Sequence, residues 1–454
     1  MITKHKMKII IAGAGETGCH LASMLSAENQ DTILMGSDRV KLAELDAARN
    51  FMTAEGSAVS IDDLMHVGVP EADLFVAVTP VDTVNIVSCQ LAKECGAKRT
   101  IARVDNRDLA TGIGLDMLKR HGVDMTIHPE MVAAREIARF IHHSWVSEWF
   151  QLHHGELLVV GVRIKAGSSL NGRELRDISS GNTQRWFHVS AVARNGCIII
   201  PRGDTCLIKG DIIYFSILPK DLDRLAPLCG QSAQHSMGRI MISGAGRVTE
   251  NLLSLMSSRR HITVIDPDED RCRTVAEKFH DVVVVNASAS DIVTLNEEGI
   301  DGCDLFLALT GSSETNIVSC MVAREHGVAS TLARIEELQY IPEAESLSID
   351  KIINKKLLNA GSILNMLLDS GSDDAKCLSL GDAEVAGIVA CNGSKIVSRP
   401  ISELSLPREL TISGLIRNGV AQLVDGGTHI MPGDHVLTFF SAGALHKVER
   451  LFHN

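Results

Sequence analysis

The chain has 454 residues, 45% of them apolar and 22% charged, and a formal net charge of −12. Such a length is too great for one core and suggests roughly three domains, while the acidic balance speaks against binding nucleic acid or an anionic lipid surface. No apolar stretch approaches the ~18–20 residues a bilayer span needs. Eleven scattered cysteines without Cys-x-x-Cys spacing read as free thiols of a reducing compartment. The histidine pairs His142-His143 and His153-His154 are poor chelators, because neighbours on a helix point about 100° apart.

Residues 1–6 read as a short extension. The run from Lys4 to Ala12 superficially resembles a signal peptide, but it breaks at once into a glycine turn, so a first strand is expected instead. The turn is Gly13-Ala-Gly-Glu-Thr-Gly18, and residues 19–26 begin a helix with Leu21, Met24 and Leu25 on one face. Strands are expected over 32–35, 74–79 and 100–104, with a helix over 85–95. This βαβαβ order implies a doubly wound parallel sheet. Ile137, Ile141, Trp145 and Trp149 then recur every four residues, which predicts a helical stripe for core packing or a subunit interface. A smaller strand-rich module follows. It has strands over 156–165, 188–194 and 212–217, a turn-rich loop over 167–172 before a short helix, and turns at Asn195-Gly196 and Lys209-Gly-Asp211.

The second half repeats the first. Asn85 returns as Asn316 at an offset of 316 − 85 = 231, and Arg103 as Arg334 and Asp73 as Asp304 hold the same offset. Expected strands lie at 239–243, 262–266, 282–285, 305–310 and 331–335. In the small modules Gly196 pairs with Gly419 and Asp211 with Asp434 at an offset of 223, so the second copy has lost about one turn between its modules. Residues 370–376 read as a flexible link there. The expected architecture is α/β: two tandem units, each a Rossmann-like doubly wound parallel sheet followed by a small α+β subdomain. The boundaries are 7–128, 151–232, 237–355 and 376–454.

A glycine triplet after a strand and before a helix fits a pyrophosphate. Gly13 permits the tight turn, Gly15 lets the backbone approach the phosphates, and Gly18 allows close helix packing. The second copy, Gly244-Ala-Gly-Arg-Val-Thr249, has Thr249 in the third position, which affects packing more than phosphate contact. It keeps Asp266 at the end of its second strand for the ribose hydroxyls, where the first copy has Gly36. Asp38 lies two residues on and could reach the ribose. Alternatively, Gly36-Ser37 beside Arg39 could admit a 2′-phosphate, although Asp38 would oppose it, or the first site binds weakly or not at all. Thr79 and Thr310 end the fourth strands, and Arg103 and Arg334 the fifth, on the carboxyl edge where ligands sit. Each arginine can meet a phosphate or bridge to a neighbouring subunit. Cys89 and Cys320 hold matching positions after strand-like runs, where a small apolar side chain packs well.

The run Met7-Lys-Ile-Ile-Ile-Ala-Gly-Ala-Gly-Glu-Thr-Gly18, the segment from Asp73 to Asn85 with Val76-Ala-Val-Thr79, Ala102-Arg103, Gly433-Asp-His-Val436 and Val448-Glu-Arg-Leu-Phe452 carry a resemblance. From Met7 onward the whole chain resembles the TrkA family, peripheral cytoplasmic subunits of bacterial Trk potassium-uptake systems built from two tandem RCK (or KTN) units. The resemblance implies regulation without catalysis. It implies binding of NAD(H), or of ATP or ADP, in the Rossmann-like domains. It also implies homo-oligomeric assembly, as a dimer or dimer of dimers, and gating of a membrane potassium channel subunit of the TrkH type from the inner face of the membrane. Carried over by motif, the first site is Gly13, Ala14, Gly15, Glu16, Thr17, Gly18, Ser57, Thr79, Pro80 and Arg103, with Asp38 nearby. The second is Gly244, Ala245, Gly246, Arg247, Val248, Asp266, Ser288, Thr310, Gly311 and Arg334. The alternatives are an NAD(P)-dependent oxidoreductase or a nucleotide sensor of a different transporter. The oxidoreductase would need a positioned acid or base, and the repeats share no Ser-Tyr-Lys or His-Asp constellation.

Overall fold

Short apolar runs between helical patterns become strands buried on both faces. In β1 (Lys8–Ala12) all of Ile9, Ile10, Ile11 and Ala12 are inaccessible to solvent. The computed structural model describes residues 7–27, 30–48, 51–152, 155–195, 197–231, 237–256, 260–288, 291–347, 349–369, 376–380, 383–441 and 444–452. The expectations for residues 1–6, His153-His154, Gly196 and 370–375 lie outside the described residues.

The first parallel module runs β1, α1 (Glu16–Ala27), β2 (Asp31–Gly36), α2 (Arg39–Ala48), β3 (Met52–Glu55), α3 (Ile61–Val67) and β4 (Leu74–Ala77). It continues with α4 (Asp82–Glu94), β5 (Thr100–Arg103), α5 (Arg107–Ala110), α6 (Gly112–Arg120), β6 (Met125–Ile127) and α7 (Pro129–His142). The strand order is β3-β2-β1-β4-β5-β6, all parallel. The order reverses between β1 and β4, which opens a crevice above their carboxyl ends.

The first small module comprises β7 (Val146–Leu152), β8 (Leu157–Arg163), α8 (Leu175–Gly181), β9 (Phe187–Arg194), β10 (Cys197–Ile199), β11 (Ile212–Ile217) and α9 (Leu225–Leu228). The second parallel module has β12 (Arg239–Ser243), α10 (Arg247–Leu255), β13 (His261–Asp266), α11 (Glu269–Lys278), β14 (Val282–Asn286) and α12 (Ile292–Glu297). After these come β15 (Leu305–Ala308), α13 (Ser313–Glu325), β16 (Ser330–Arg334), α14 (Ile341–Ser346), β17 (Lys351–Ile353) and α15 (Lys355–Asp369). Its order, β14-β13-β12-β15-β16-β17, repeats the first. The second small module closes with β18 (Lys376–Leu380), β19 (Ala383–Val389), β20 (Leu410–Arg417), β21 (Val420–Leu423), β22 (His435–Ser441) and α16 (Leu445–Phe452). The small sheets are antiparallel, in the matching orders β10-β9-β11-β8-β7 and β18-β19-β22-β20-β21.

Like packs with like: one compact unit holds both parallel modules (residues 1–142 and 237–365), the other both small ones (143–236 and 366–454). Within the first unit α7 leaves its own sheet. Ala133, Ala134, Ile137, Phe140 and Ile141 bury against Ile240, Ile242, Val248, Leu252 and Leu253 of the other repeat. Each large side chain of that face contributes about 1.5–3 kcal/mol. Within the second unit the facing sheets share Leu157, Val159, Ala191, Tyr214, Val385, Leu437 and Phe439. A buried hydroxyl chain crosses there, with Ser190 Oγ and Ser216 Oγ 2.7 Å apart and Ser216 Oγ donating to Ser413 Oγ at 2.9 Å. Arg194 holds Asp211 in a bidentate pair, and Arg417 holds Asp434 in the same way, so the two glycine-aspartate turns are pinned alike.

One expectation is corrected. The helical stripe stops at Ile141, because α7 ends at His142; Trp145 and Trp149 belong to the small module, where Trp149 pairs with Val160 in β7–β8. A spacing of four is also a multiple of the strand period of two, so it serves either element. Cys89 and Cys320 do hold matching buried positions, inside α4 and α13 and against the next strand, with their thiols directed at the carbonyls of Ile101 and Leu332.

Candidate nucleotide-binding sites

Both glycine turns cap the strand at the topological switch point. Gly13 N–H donates to Met35 O at 2.9 Å and Gly244 N–H to Ile265 O at 2.8 Å, which ties each turn to the neighbouring strand. Gly13 has φ of +120°, and a Cβ there would stand 3.0 Å from the amide nitrogen of Thr79; Gly244, at φ +106°, meets Thr310 at the same distance. These positions require glycine. Around Gly15 and Gly246, by contrast, a Cβ would meet nothing within 4 Å, so the backbone faces open space where a phosphate can approach. The third position differs between the copies. A Cβ on Gly18 would lie 1.9 Å from Gly13 O, whereas buried Thr249 donates its hydroxyl to Gly244 O at 2.5 Å. Thr249 thus acts on packing inside the turn and does not project into the open side.

The carboxyl edges of β4 and β5 are held together by Asn85, which has no exposed surface. Its Oδ1 accepts from Thr79 N at 2.8 Å and from Thr79 Oγ1 at 2.7 Å, and its Nδ2 donates to Thr79 O and Arg103 O, both at 2.9 Å. Asn316 repeats all four bonds with Thr310 and Arg334, at 3.0, 2.6, 3.0 and 2.7 Å. The duplicated asparagine therefore positions the threonine and arginine expected at the ligand. Its recurrence at the constant offset was the available signal, although the spacing alone assigned it no role.

Each arginine is also anchored by an acid two residues on. Arg103 Nε and Nη2 donate to the Asp105 carboxylate at 3.2 and 2.8 Å; Arg334 Nε donates to Glu336 Oε1 at 2.5 Å. Burial pulls the Arg103 pKa down, but the Asp105 hydrogen bonds and charge, with Glu130 and Asp82, outweigh it and leave the group above its ordinary value. Asp105 and Glu336 share the offset of 336 − 105 = 231, a second signal the sequence carried.

At the ribose end the two sites diverge. Asp266 is 3% exposed; its Oδ2 accepts from Ala245 N in the glycine turn at 2.7 Å and its Oδ1 from Asp268 N at 2.9 Å. In the first repeat Gly36 takes that place, and a Cβ there would lie 2.8 Å from Ala14 Cβ. Asp38 caps α2 by accepting from Val40 N and Lys41 N at 3.1 Å each, as Asp268 caps α11; it is the counterpart of that cap and not of Asp266. Ser57 and Ser288 follow β3 and β14 in matching turns, with their carbonyls accepting from Ser60 N and Asp291 N at 3.0 Å. Pro80 and Gly311 follow the threonines and are exposed; Glu16 and Arg247 are the exposed first residues of α1 and α10; Thr17 is half-buried and Val248 buried.

Charged residues of one repeat reach the site of the other within the first unit. Lys356, on α15, pairs with Glu16 of the first glycine turn, and Lys355 lies 3.5 Å from Glu130 and 3.7 Å from Glu336. Lys351 meets Glu136 at 3.1 Å. No sequence spacing pointed to the pairs of Lys351 with Glu136, Lys355 with Glu130 and Lys356 with Glu16, since those partners are hundreds of positions apart. Among the described residues no group of three or more His, Cys, Asp and Glu side chains is placed to hold a metal ion, and no helix is long and apolar enough to cross a membrane.

Comparison with known proteins agrees with this geometry. The TrkA-N domain family matches residues 9–129 and 240–355, and the TrkA-C domain family residues 159–230 and 385–453. The chain is 30% identical over 455 residues to the Trk system potassium uptake protein TrkA of Halomonas elongata, covering 98% of each chain. It is 29% identical over 452 residues to the protein of the same name from Haemophilus influenzae, again covering 98% of each. Among solved structures, the GsuK RCK domain aligns over 100% of this chain and 96% of its own, with a TM-score of 0.62 at 17% identity. The GsuK channel bound to NAD aligns over 100% of this chain and 80% of its own, with the same TM-score at 16% identity. The TrkA-N matches alone span more than half of the residues, in the two tandem modules that carry the glycine turns, and the chain belongs to the TrkA family.

Proposed function

We propose that this chain is a nucleotide-binding regulatory subunit of a potassium-uptake system, acting from the cytoplasmic face on a membrane channel subunit of the TrkH type. The observation that carries the reading is the pair of matched cradles. Each has an open second glycine, an asparagine-held threonine and an acid-anchored arginine at the switch point. The naming of the full-length relatives as potassium uptake proteins supports the transport role.

The residues present fit an adenine dinucleotide. Gly13 to Thr17 and Gly244 to Val248 would hold the pyrophosphate, with Asp266 on a ribose of the second site. The first site holds an adenine nucleotide in this reading. When bound, the cofactor supplies charge and shape to a conformational equilibrium. Such a ligand shifts the equilibrium only by its difference in affinity between two states. The contacts of Lys356 with Glu16 and of Lys355 with Glu130 place groups of one repeat at the mouth of the other, so a change in one cradle alters the footing of its neighbour. Assembly as a homo-oligomer beneath the channel completes the proposal.

The test is potassium uptake in a strain lacking the subunit and complemented with this chain, with NAD, NADH, ATP and ADP binding measured by calorimetry in parallel. Gly15→Asp and Gly246→Asp place a carboxylate in open space at each cradle and are expected to abolish binding at that site and the uptake response that depends on it. Unchanged binding, or uptake that ignores both substitutions, refutes the reading.

A further inference from the structure

The two pockets part company at one place, the end of the second strand. In the second pocket buried Asp266 presents a carboxylate there, followed by Asp268, Glu269 and Asp270. That arrangement receives the free hydroxyls of an adenosine ribose and repels a phosphate on the 2′ oxygen. The first pocket has no carboxylate at this point. The strand instead lies so close to the glycine turn that a Cβ on Gly36 would stand 2.8 Å from Ala14 Cβ. The pocket is shaped around the missing acid, and restoring one requires the turn to move.

Just beyond Gly36 the chain offers a hydroxyl and a guanidinium. Ser37 and Arg39 are exposed, Arg39 with 86% of its side chain in solvent. The acids nearby are Asp38, Glu16 and Glu55, of which the first two are already engaged. Asp38 accepts the amides of Val40 and Lys41 at 3.1 Å each, and Glu16 is paired with Lys356. Glu55 stands 3.8 Å from Arg39 with 57% of its side chain exposed. A surface pair that loose contributes little, and a phosphate dianion with bidentate geometry displaces it. The remaining cradle is intact, with all three glycines and the Asn85 clamp on Thr79 and Arg103.

We propose that the first pocket takes a 2′-phosphorylated dinucleotide, NADP(H), with Ser37 and Arg39 on the 2′-phosphate, while the second pocket takes NAD(H). One polypeptide then reads both nicotinamide pools. The proposal rests on the reading of the two cradles as nucleotide sites.

Calorimetry of the intact chain with NADPH and NADH tests it. NADPH is expected to occupy one site per chain, lost in Gly15→Asp and kept in Gly246→Asp, with affinity at that site about 10-fold or more above that of NADH, the effect of one charge-assisted contact. Arg39→Glu, at an exposed position, is expected to weaken NADPH by a similar factor and leave NADH at the second pocket unchanged, while Arg39→Lys keeps most of the NADPH affinity. If NADH binds but NADPH is no tighter at the first pocket, or Arg39→Glu leaves NADPH untouched, the proposal is overturned and the nucleotide reading stands. If no dinucleotide binds either pocket, that reading falls and this proposal with it.

Discussion

Replacing Asn85 with alanine removes one side chain and breaks four hydrogen bonds, two to the Thr79 amide and hydroxyl and two to the carbonyls of Thr79 and Arg103. A buried polar group left unpartnered costs about 1–3 kcal/mol. Thr79 is half-buried and can turn part of its hydrogen bonding to water, which leaves its amide and the Arg103 carbonyl as the main losses. The sum is about 3 kcal/mol, among the larger single-residue effects and traceable to a broken buried network. For a module of this size it lowers the melting temperature of the first parallel module by roughly 10 °C. Because Thr79 and Arg103 lose their common anchor, nucleotide affinity at the first pocket falls with it. Asn316→Ala supplies the matched comparison, with the same loss confined to the second repeat. Hydrogen exchange of the β4 and β5 amides, with calorimetric titration of each variant, separates the two. A destabilisation below about 1 kcal/mol, or equal loss of protection in both repeats from either substitution, would refute the argument that the asparagine is a local clamp.

The third glycine position gives an asymmetric pair. Gly18→Thr forces a Cβ to 1.9 Å from a backbone oxygen and is expected to unfold or severely destabilise the first turn, while Thr249→Gly loses one hydroxyl donation and costs about 1–2 kcal/mol by thermal denaturation. Burial pushes the His188 imidazole down to about 4, against an ordinary value near 6.5. The unfolded chain therefore takes up a proton before the folded one. The stability this neutral histidine contributes is fully present above pH ~6.5 and is lost progressively toward pH ~4, the loss amounting to about 2 kcal/mol at pH 5. His188→Gln should flatten that slope in denaturation curves at pH 7 and pH 5, and an unchanged slope contradicts the assignment.

Much of the plan was legible in the residues, for identifiable reasons. An apolar run between glycine turns, repeated with a constant offset, specifies a strand and its place in a repeat from short-range pattern alone, and β1, β4, β12 and β15 lie where those runs are. The glycine turns were legible because φ of +120° and +106° leaves little choice of residue. The Asn195-Gly196 turn was marked by the same logic, and Asn195 does take positive φ, as does Asn418 beside Gly419 in the second copy. The tryptophans show where pattern fails: a spacing of four fits a helix face and a strand face alike, and only the end of α7 at His142 decides between them.

The partners of each buried face were decided in three dimensions. Periodicity says that Ile137 and Ile141 must leave water, yet it cannot say that they cover the other repeat's sheet and not their own, because the hydrophobic effect is indifferent to which apolar surface it joins. The same holds for charge. Glu16 belongs to the first glycine turn, and Lys356, 340 positions later, becomes its partner only once the parallel modules pack together. The chain's own residues thus determined the two cradles through local backbone demands, and tertiary packing determined which groups stand at their mouths.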